Sequence, residues 1–247
     1  MSALAYFLED EGLPTVAISL IRVQTEKVGN PRSLWVPFEL GRPLGPPNDA
    51  AFQKDVLTAA LGLLAAMPGP VVLEDFGRDD PTATDVDNWR PPFELSAAQV
   101  DLSDEGALAA ALEQEVRALA PAYAQFVAAN RRTTVGISGL DLGACVRYLA
   151  AYLAAAAPVN PIPAVTPVQA LRWAVDDVKA YCLSAMSAGP DIPSSRQMQA
   201  WFWDRTIAAQ AIIALRKRLL ASEDARSQAT GRMNLVPGVQ VLRLGLT

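Results

Sequence analysis

With 247 residues, about half of them apolar, the chain is long enough for one large domain or two small ones with a real core. Its net charge of −5, without a clustered basic face, argues against nucleic acid, and no run approaches the ~20 apolar residues of a membrane helix. The absence of any histidine removes Ser-His-Asp and Cys-His catalysis, His-dependent zinc sites and the commonest general base near neutral pH.

The first residues, Met1 to Asp10, read as a helix with Leu4, Phe7 and Leu8 on one stripe, ended by Gly12. They lack the basic and apolar regions of a secretory signal. Thr15 to Ile21 is β-branched and nearly all apolar, which suits a strand covered on both faces. Leu34 to Phe38 is expected as a second short strand, and Asn48 or Asp49 as the cap of a helix running to about Leu64. Pro68-Gly69-Pro70 stops that helix before a third short strand, Val71 to Leu73. This alternation is of parallel α/β type but has few strands for a complete sheet.

Asp75 to Pro92 is expected to be a solvated linker, acidic and Pro-rich, whose aspartates do not follow the spacing of a calcium loop. From Ser103 the pattern turns helical. A first helix reaches about Asn130 with Pro121 inside it as an expected kink, and a second, capped by Asp141, spans Leu142 to Ala157. Thr166-Pro167-Val168-Gln169 and Ser194-Ser195-Arg196-Gln197 are capping boxes that open helices to about Ala188 and about Ser222. Four such helices suggest an antiparallel bundle. Val236 to Thr247 alternates weakly and is expected as an edge strand or a docked tail.

The expected fold class is therefore an α/β fragment with a short, mainly parallel sheet, followed by an all-α bundle, predominantly helical overall. The expected divisions are 1–74, a linker at 75–102, a bundle at 103–235 and a tail at 236–247.

Ligands in open α/β sheets sit outside the carboxyl ends of the strands. That rule singles out Arg22, Glu26 and Lys27 after the first strand, and Glu39 and Arg42 after the second, as substrate-binding candidates. The arginines offer a bidentate fork for a carboxylate. Solvated loop charges are the alternative. Cys145 and Cys182 lie in apolar helical patterns with no zinc or redox spacing, so buried reduced thiols and a cytoplasmic location are expected. Arg216-Lys217-Arg218, with Arg205 and Arg226 nearby, complements a helix end. Trp201-Phe202-Trp203, with Trp173 and Tyr181, supplies core aromatics, one of which must meet another surface. Asp176, Asp177 and Asp204 lack the spacing of a di-metal bundle.

One segment carries a resemblance. Gly12-Leu13-Pro14-Thr15-Val16 leads a strand, Val28-Gly29-Asn30-Pro31-Arg32 a turn, and Pro43-Leu44-Gly45-Pro46-Pro47 a loop, followed by a helix containing Ala59-Ala60-Leu61-Gly62-Leu63-Leu64. This order resembles the C-terminal part of component B (selenoprotein B) of the glycine/sarcosine/betaine reductases, related to D-proline reductase, over about residues 1–64. The resemblance implies reductive cleavage by a nucleophilic selenolate or thiolate. In the family, a selenocysteine or cysteine motif stands just before the first helix, so the nucleophile would fall immediately before Met1. The chain is then expected to be the C-terminal portion or a subunit of such an oxidoreductase, with no catalytic residue, metal or cofactor in this chain. Its partner would be an upstream or separate α/β portion bearing the reactive Cys or Sec, and its substrate a small carboxylate or amine. The alternatives are a non-catalytic subunit that docks on a partner through the unfinished sheet edge, or a carboxylate-binding module.

Overall fold

A computed structural model describes residues 2–66, 71–95, 100, 104–154, 158–191 and 193–246 and divides the chain into two units, Met1–Thr84 and Asp85–Thr247. The Pro68-Gly69-Pro70 break, the helix start at Ser103 and the helix end at Ala157 lie outside the described residues. The chain is 56% helical, with one three-stranded parallel sheet.

In the first unit, α1 (Ser2–Asp10) stops at Gly12, whose φ of +79° reverses the chain and lets Leu13 N–H reach back to the Leu8 carbonyl at 2.8 Å. The strands β1 (Ala17–Ser19), β2 (Arg32–Trp35) and β3 (Val72–Asp75) lie side by side in that order, Ile18 opposite Leu34 and Leu34 opposite Glu74. A short helix, α2 (Arg22–Val28), fills the first crossover, for which the sequence pattern offers no helix. It buries only Thr25, so no apolar stripe announced it. Gly29, at φ +67°, closes α2 with its N–H on the Thr25 carbonyl and turns the chain into β2. β2 starts two residues earlier than expected because buried Arg32 and Ser33 belong to it.

Helix α3 (Ala50–Gly62) fills the second crossover, capped by the Asp49 carboxylate, which accepts from Phe52 N–H at 3.0 Å, and runs into a 3-10 turn at Leu63–Ala65. Leu34, Val36, Phe38, Val56, Ala60 and Leu63 form the core of this unit. At the carboxyl edge of the sheet Phe38, Phe52 and Phe76 meet one another at 5.6–5.9 Å, with Arg78 over two of the rings. At the amino edge Glu9 accepts from Thr15 N–H and from buried Arg32, tying α1 and the approach to β1 to β2. The Arg32 hydrogen bond, then the Thr15 N–H, hold the Glu9 carboxyl below its ordinary range.

The second unit is helical, and its core is continuous. Helices α4 (Glu105–Asn130), α5 (Leu142–Ala154) and α6 (Pro167–Met186) pack on one another and on α8 (Ile207–Leu220). Alanines at 170, 174, 185, 208, 209 and 211 are fully buried, which lets helix backbones approach closely. Asp104, Asp141 and Thr166 cap the first three, and Ser194 with Gln197 forms the complete capping box of α7 (Ser195–Arg205). Pro121 sits inside α4, which continues through it.

Two features differ from the expected bundle of four. The helix expected over Ser194 to Ser222 divides at Thr206, whose backbone is extended. Thr206 Oγ1 accepts from Ala209 N–H and donates to the Phe202 carbonyl, while the Glu115 carboxylate of α4 takes the N–H groups of Ile207 and Ala208. The freed N–H groups of Ile207, Ala208 and Ala209 thus each have an acceptor, which favours the division. The tail forms no edge strand. After α9 (Ala225–Met233), Pro237 leads into α10 (Gly238–Arg243), which docks through Val236, Val241, Leu244 and Leu246 and through an Arg243–Asp204 ion pair at 2.8 Å. Among the described residues, then, α4 to α10 make seven helices.

The boundary between the units falls inside the stretch read as a linker. Residues 85–95 are irregular but not freely solvated, because they are strapped onto α7. Asp85 accepts from Ser194 Oγ and Arg196, Val86 exchanges two 2.9 Å hydrogen bonds with the Gln197 amide, and Phe93 meets Trp201 edge-on at 5.5 Å.

Candidate functional site

The carboxyl ends of β1 and β3 bring three charged side chains together. Arg22, the first residue of α2, donates through Nε to Asp75 at 3.0 and 3.2 Å and through Nη1 to Glu26 one turn along the helix. Asp75 ends β3, so the guanidinium reaches past the end of the central strand. Ser19 Oγ accepts from Ile21 N–H and contacts Thr25 Oγ1, which fixes the start of α2 and so the position of Arg22. The hydrogen bonds that Arg22 donates to Asp75, then the one it donates to Glu26, raise its pKa. All three side chains remain partly open to solvent, so the pairs contribute little to stability.

The other sequence candidates stand apart from this cluster. Lys27 is exposed in the last turn of α2. Glu39 and Arg42 belong to the loop after β2, where the Arg42 N–H closes a turn on the Glu39 carbonyl and the Arg42 guanidinium lies 3.9 Å from the buried Asp80 carboxylate. No hydrogen bond or ion pair joins Lys27, Glu39 or Arg42 to Arg22 among the described residues. Chemically, the cluster holds one cation and two carboxylates. A substrate carboxylate would compete with Asp75 and Glu26 for the guanidinium, whereas an ammonium group would meet net negative charge.

The loop from Pro37 to Asn48 covers this edge in consecutive turns, and Gly45 is fixed there by sterics. Its φ is +84°, and a Cβ at this position would stand 2.5 Å from a ring carbon of Phe52. The Pro43–Pro47 sequence therefore lies directly against the aromatic cluster.

Both thiols are in the helical unit and both are free. Burial pushes the Cys145 thiol up, only partly offset by the Ser138 hydroxyl 3.4 Å away, and pushes fully buried Cys182 well above its ordinary value. Attack requires a thiolate, so neither is placed to act as a nucleophile.

Two buried carboxylates escaped sequence reading as structural devices. From sequence, Asp177 stands out only as a metal-ligand candidate without the spacing for one. Its Oδ1 accepts from the N–H groups of Gly136 and Ile137 at 2.6 and 3.0 Å, and its Oδ2 from Ser138 N–H at 3.0 Å and Ser138 Oγ. Three consecutive backbone donors thus wrap one carboxylate. Glu115 caps α8 from a neighbouring helix at 2.7 and 2.9 Å, and burial outweighs those bonds in raising its pKa. The signal for both was an acid inside an apolar stripe: Glu115 stands between Leu112 and Leu119, and Asp177 between Ala174 and Tyr181. Asp176 pairs with Lys179 at 2.9 Å and Asp204 with Arg243. Among the described residues no group of three or more Cys, Asp and Glu is placed to hold a metal ion, and no helix is long and apolar enough to cross a membrane. Compared with known proteins, the chain matches no family model, no curated protein and no solved structure.

Proposed function

We propose that the first unit is the C-terminal layer of an oxidoreductase of the glycine/sarcosine/betaine reductase component B type, and that the reacting selenolate or thiolate is supplied from outside this sequence. The observation that carries this reading is where the quoted residues fall. Val28-Gly29-Asn30-Pro31-Arg32 makes the left-handed turn into the central strand, and Pro43-Leu44-Gly45-Pro46-Pro47 forms the loop at the carboxyl edge of a parallel sheet. That edge is where α/β sheets bind ligands. The Arg22, Glu26 and Asp75 cluster beside it suits the amine end of a small amino-acid-like substrate, and Arg42 on the covering loop suits its carboxylate. Buried Cys145 and Cys182 take no part in the chemistry. Their free state supports a cytoplasmic setting.

A partner is also favoured by the surface of the first unit. Leu4, Phe7, Ile21, Val23, Leu40 and Leu61 are each more than half exposed there. Exposed apolar side chains are what a layer completed by another polypeptide would show. The reading is tested by purifying the tagged full chain from its own cells and identifying bound polypeptides by mass spectrometry. A stoichiometric partner with a reactive Cys or Sec supports it; a monodisperse chain with no such partner contradicts it.

A further inference from the structure

The strap over α7 borders an open pocket that the reductase reading does not use. It has a volume of about 700 Å³ and is lined by Arg90, Pro91, Pro92, Phe93, Glu94, Leu95, Trp201 and Arg205. This volume is in the range of small-molecule sites. The cavity is built rather than incidental, because both of its walls are held. Residues 85–95 are anchored by the Asp85, Val86 and Phe93 contacts with α7, and Pro92 packs against Gly189.

The lining pairs two kinds of chemistry. Trp201 is the one member of Trp201-Phe202-Trp203 not buried in the core, and Phe93 meets it edge-on, which leaves indole surface facing the cavity. Arg90 and Arg205 are exposed, and neither has an ion-pair partner among the described residues. Most other arginines in this unit are committed: Arg196 to Asp85, Arg243 to Asp204, Arg216 to the Leu246 carbonyl. With Glu94 counted, the lining keeps a net charge of +1.

We infer that this cavity binds a small organic carboxylate with a flat apolar body, the carboxylate held by Arg90 and Arg205 and the body lying against Trp201. A guanidinium recognises a carboxylate through paired, charge-assisted hydrogen bonds, and an indole face accepts a flat apolar group without directional demands. The inference is independent of the reductase reading, since no residue of the first unit takes part.

The probe is 2-naphthoate, with 2-naphthamide as its neutral isostere, titrated calorimetrically into the full chain. The wild type is expected to bind naphthoate at least about tenfold more tightly than the amide, as loss of a charge-assisted pair implies. R90Q/R205Q, two exposed changes that leave the core untouched, is expected to abolish that preference while keeping amide binding. W201L is expected to weaken both probes together, with the circular dichroism spectrum showing that the unit is still folded. No naphthoate binding up to about 1 mM, equivalent to roughly −4 kcal/mol, or a naphthoate preference that survives R90Q/R205Q, would overturn the inference.

Discussion

Asp177→Ala should cost the helical unit about 3 kcal/mol. The carboxylate is fully buried and accepts four hydrogen bonds from residues 136 to 138. A hydrogen bond to a charged group contributes roughly 1.5–3 kcal/mol, but not all four are lost without replacement. Ile137 is 56% exposed, so water can take over the Gly136 and Ile137 donors once the loop loosens. Ser138 is only 7% exposed, and its N–H and Oγ stay dry. Two dry donors at the low end of the range give the ~3 kcal/mol. Asp177→Asn keeps the shape and one acceptor but turns an amide donor toward other donors, so about 2 kcal/mol is expected. Urea unfolding followed by far-UV circular dichroism reads this directly. With a slope near ~2 kcal/mol/M, the midpoint should fall by about 1.5 M in D177A and about 1 M in D177N. Cys145, whose thiol meets Ser138 Oγ, should also become easier to alkylate in D177A. A midpoint shift below about 0.3 M in D177A would refute the reasoning. The 136–138 loop would then owe its order to something other than this carboxylate.

Glu115 makes a prediction about pH. Its native pKa is raised above the ordinary 4.5 by burial, so the folded state holds that proton more tightly than the unfolded chain. The stability linked to it is fully present below about 4.5 and is lost as pH climbs through the raised native value. Wild type should therefore lose stability relative to E115Q as pH rises from about 4.5 through the raised native value, measured as urea midpoints; a difference moving the other way would contradict the burial argument. Gly45→Ala forces a side chain into the left-handed region and a Cβ against Phe52. Strain and repacking together should cost about 2 kcal/mol, which lowers the melting temperature of a unit of this size by about 10 °C in scanning calorimetry. An unchanged transition would show that the loop can move away from the aromatic cluster.

How much was legible in the sequence depended on periodicity and caps. The long helices were readable because Leu108, Leu112 and Leu119, or Val168, Leu171 and Val175, repeat at helical spacing, and because Asp49, Asp141, Thr166 and Ser194 cap the helices that follow them. The parallel sheet followed from three short apolar runs, the second and third of them separated by a helix. What failed to show was decided by distant partners. The division at Thr206 depends on Glu115, ninety-one positions earlier, and the tail became a helix because Asp204 and the core receive it. The strap at 85–95 looked like solvated linker because its aspartates and prolines have no apolar period, yet Gln197 and Trp201 hold it. At the sheet edge, sequence placed Arg22 and Glu26 together, but Asp75 joined them only through the register of β3. Lys27, Glu39 and Arg42 shared the same strand-end rule without sharing the same cluster.

The most direct test of the account is catalytic reconstitution. On the proposed reading, the full chain is combined with a co-purified polypeptide bearing a reactive Sec or Cys, and dithiol-dependent amine release from glycine, sarcosine and betaine is measured with and without this chain. The account predicts turnover of one of these substrates only when both polypeptides are present, reduced in R22Q and unchanged when Cys145 and Cys182 are replaced by alanine. Turnover that is the same without this chain, or that disappears in a folded C145A/C182A variant, would contradict it.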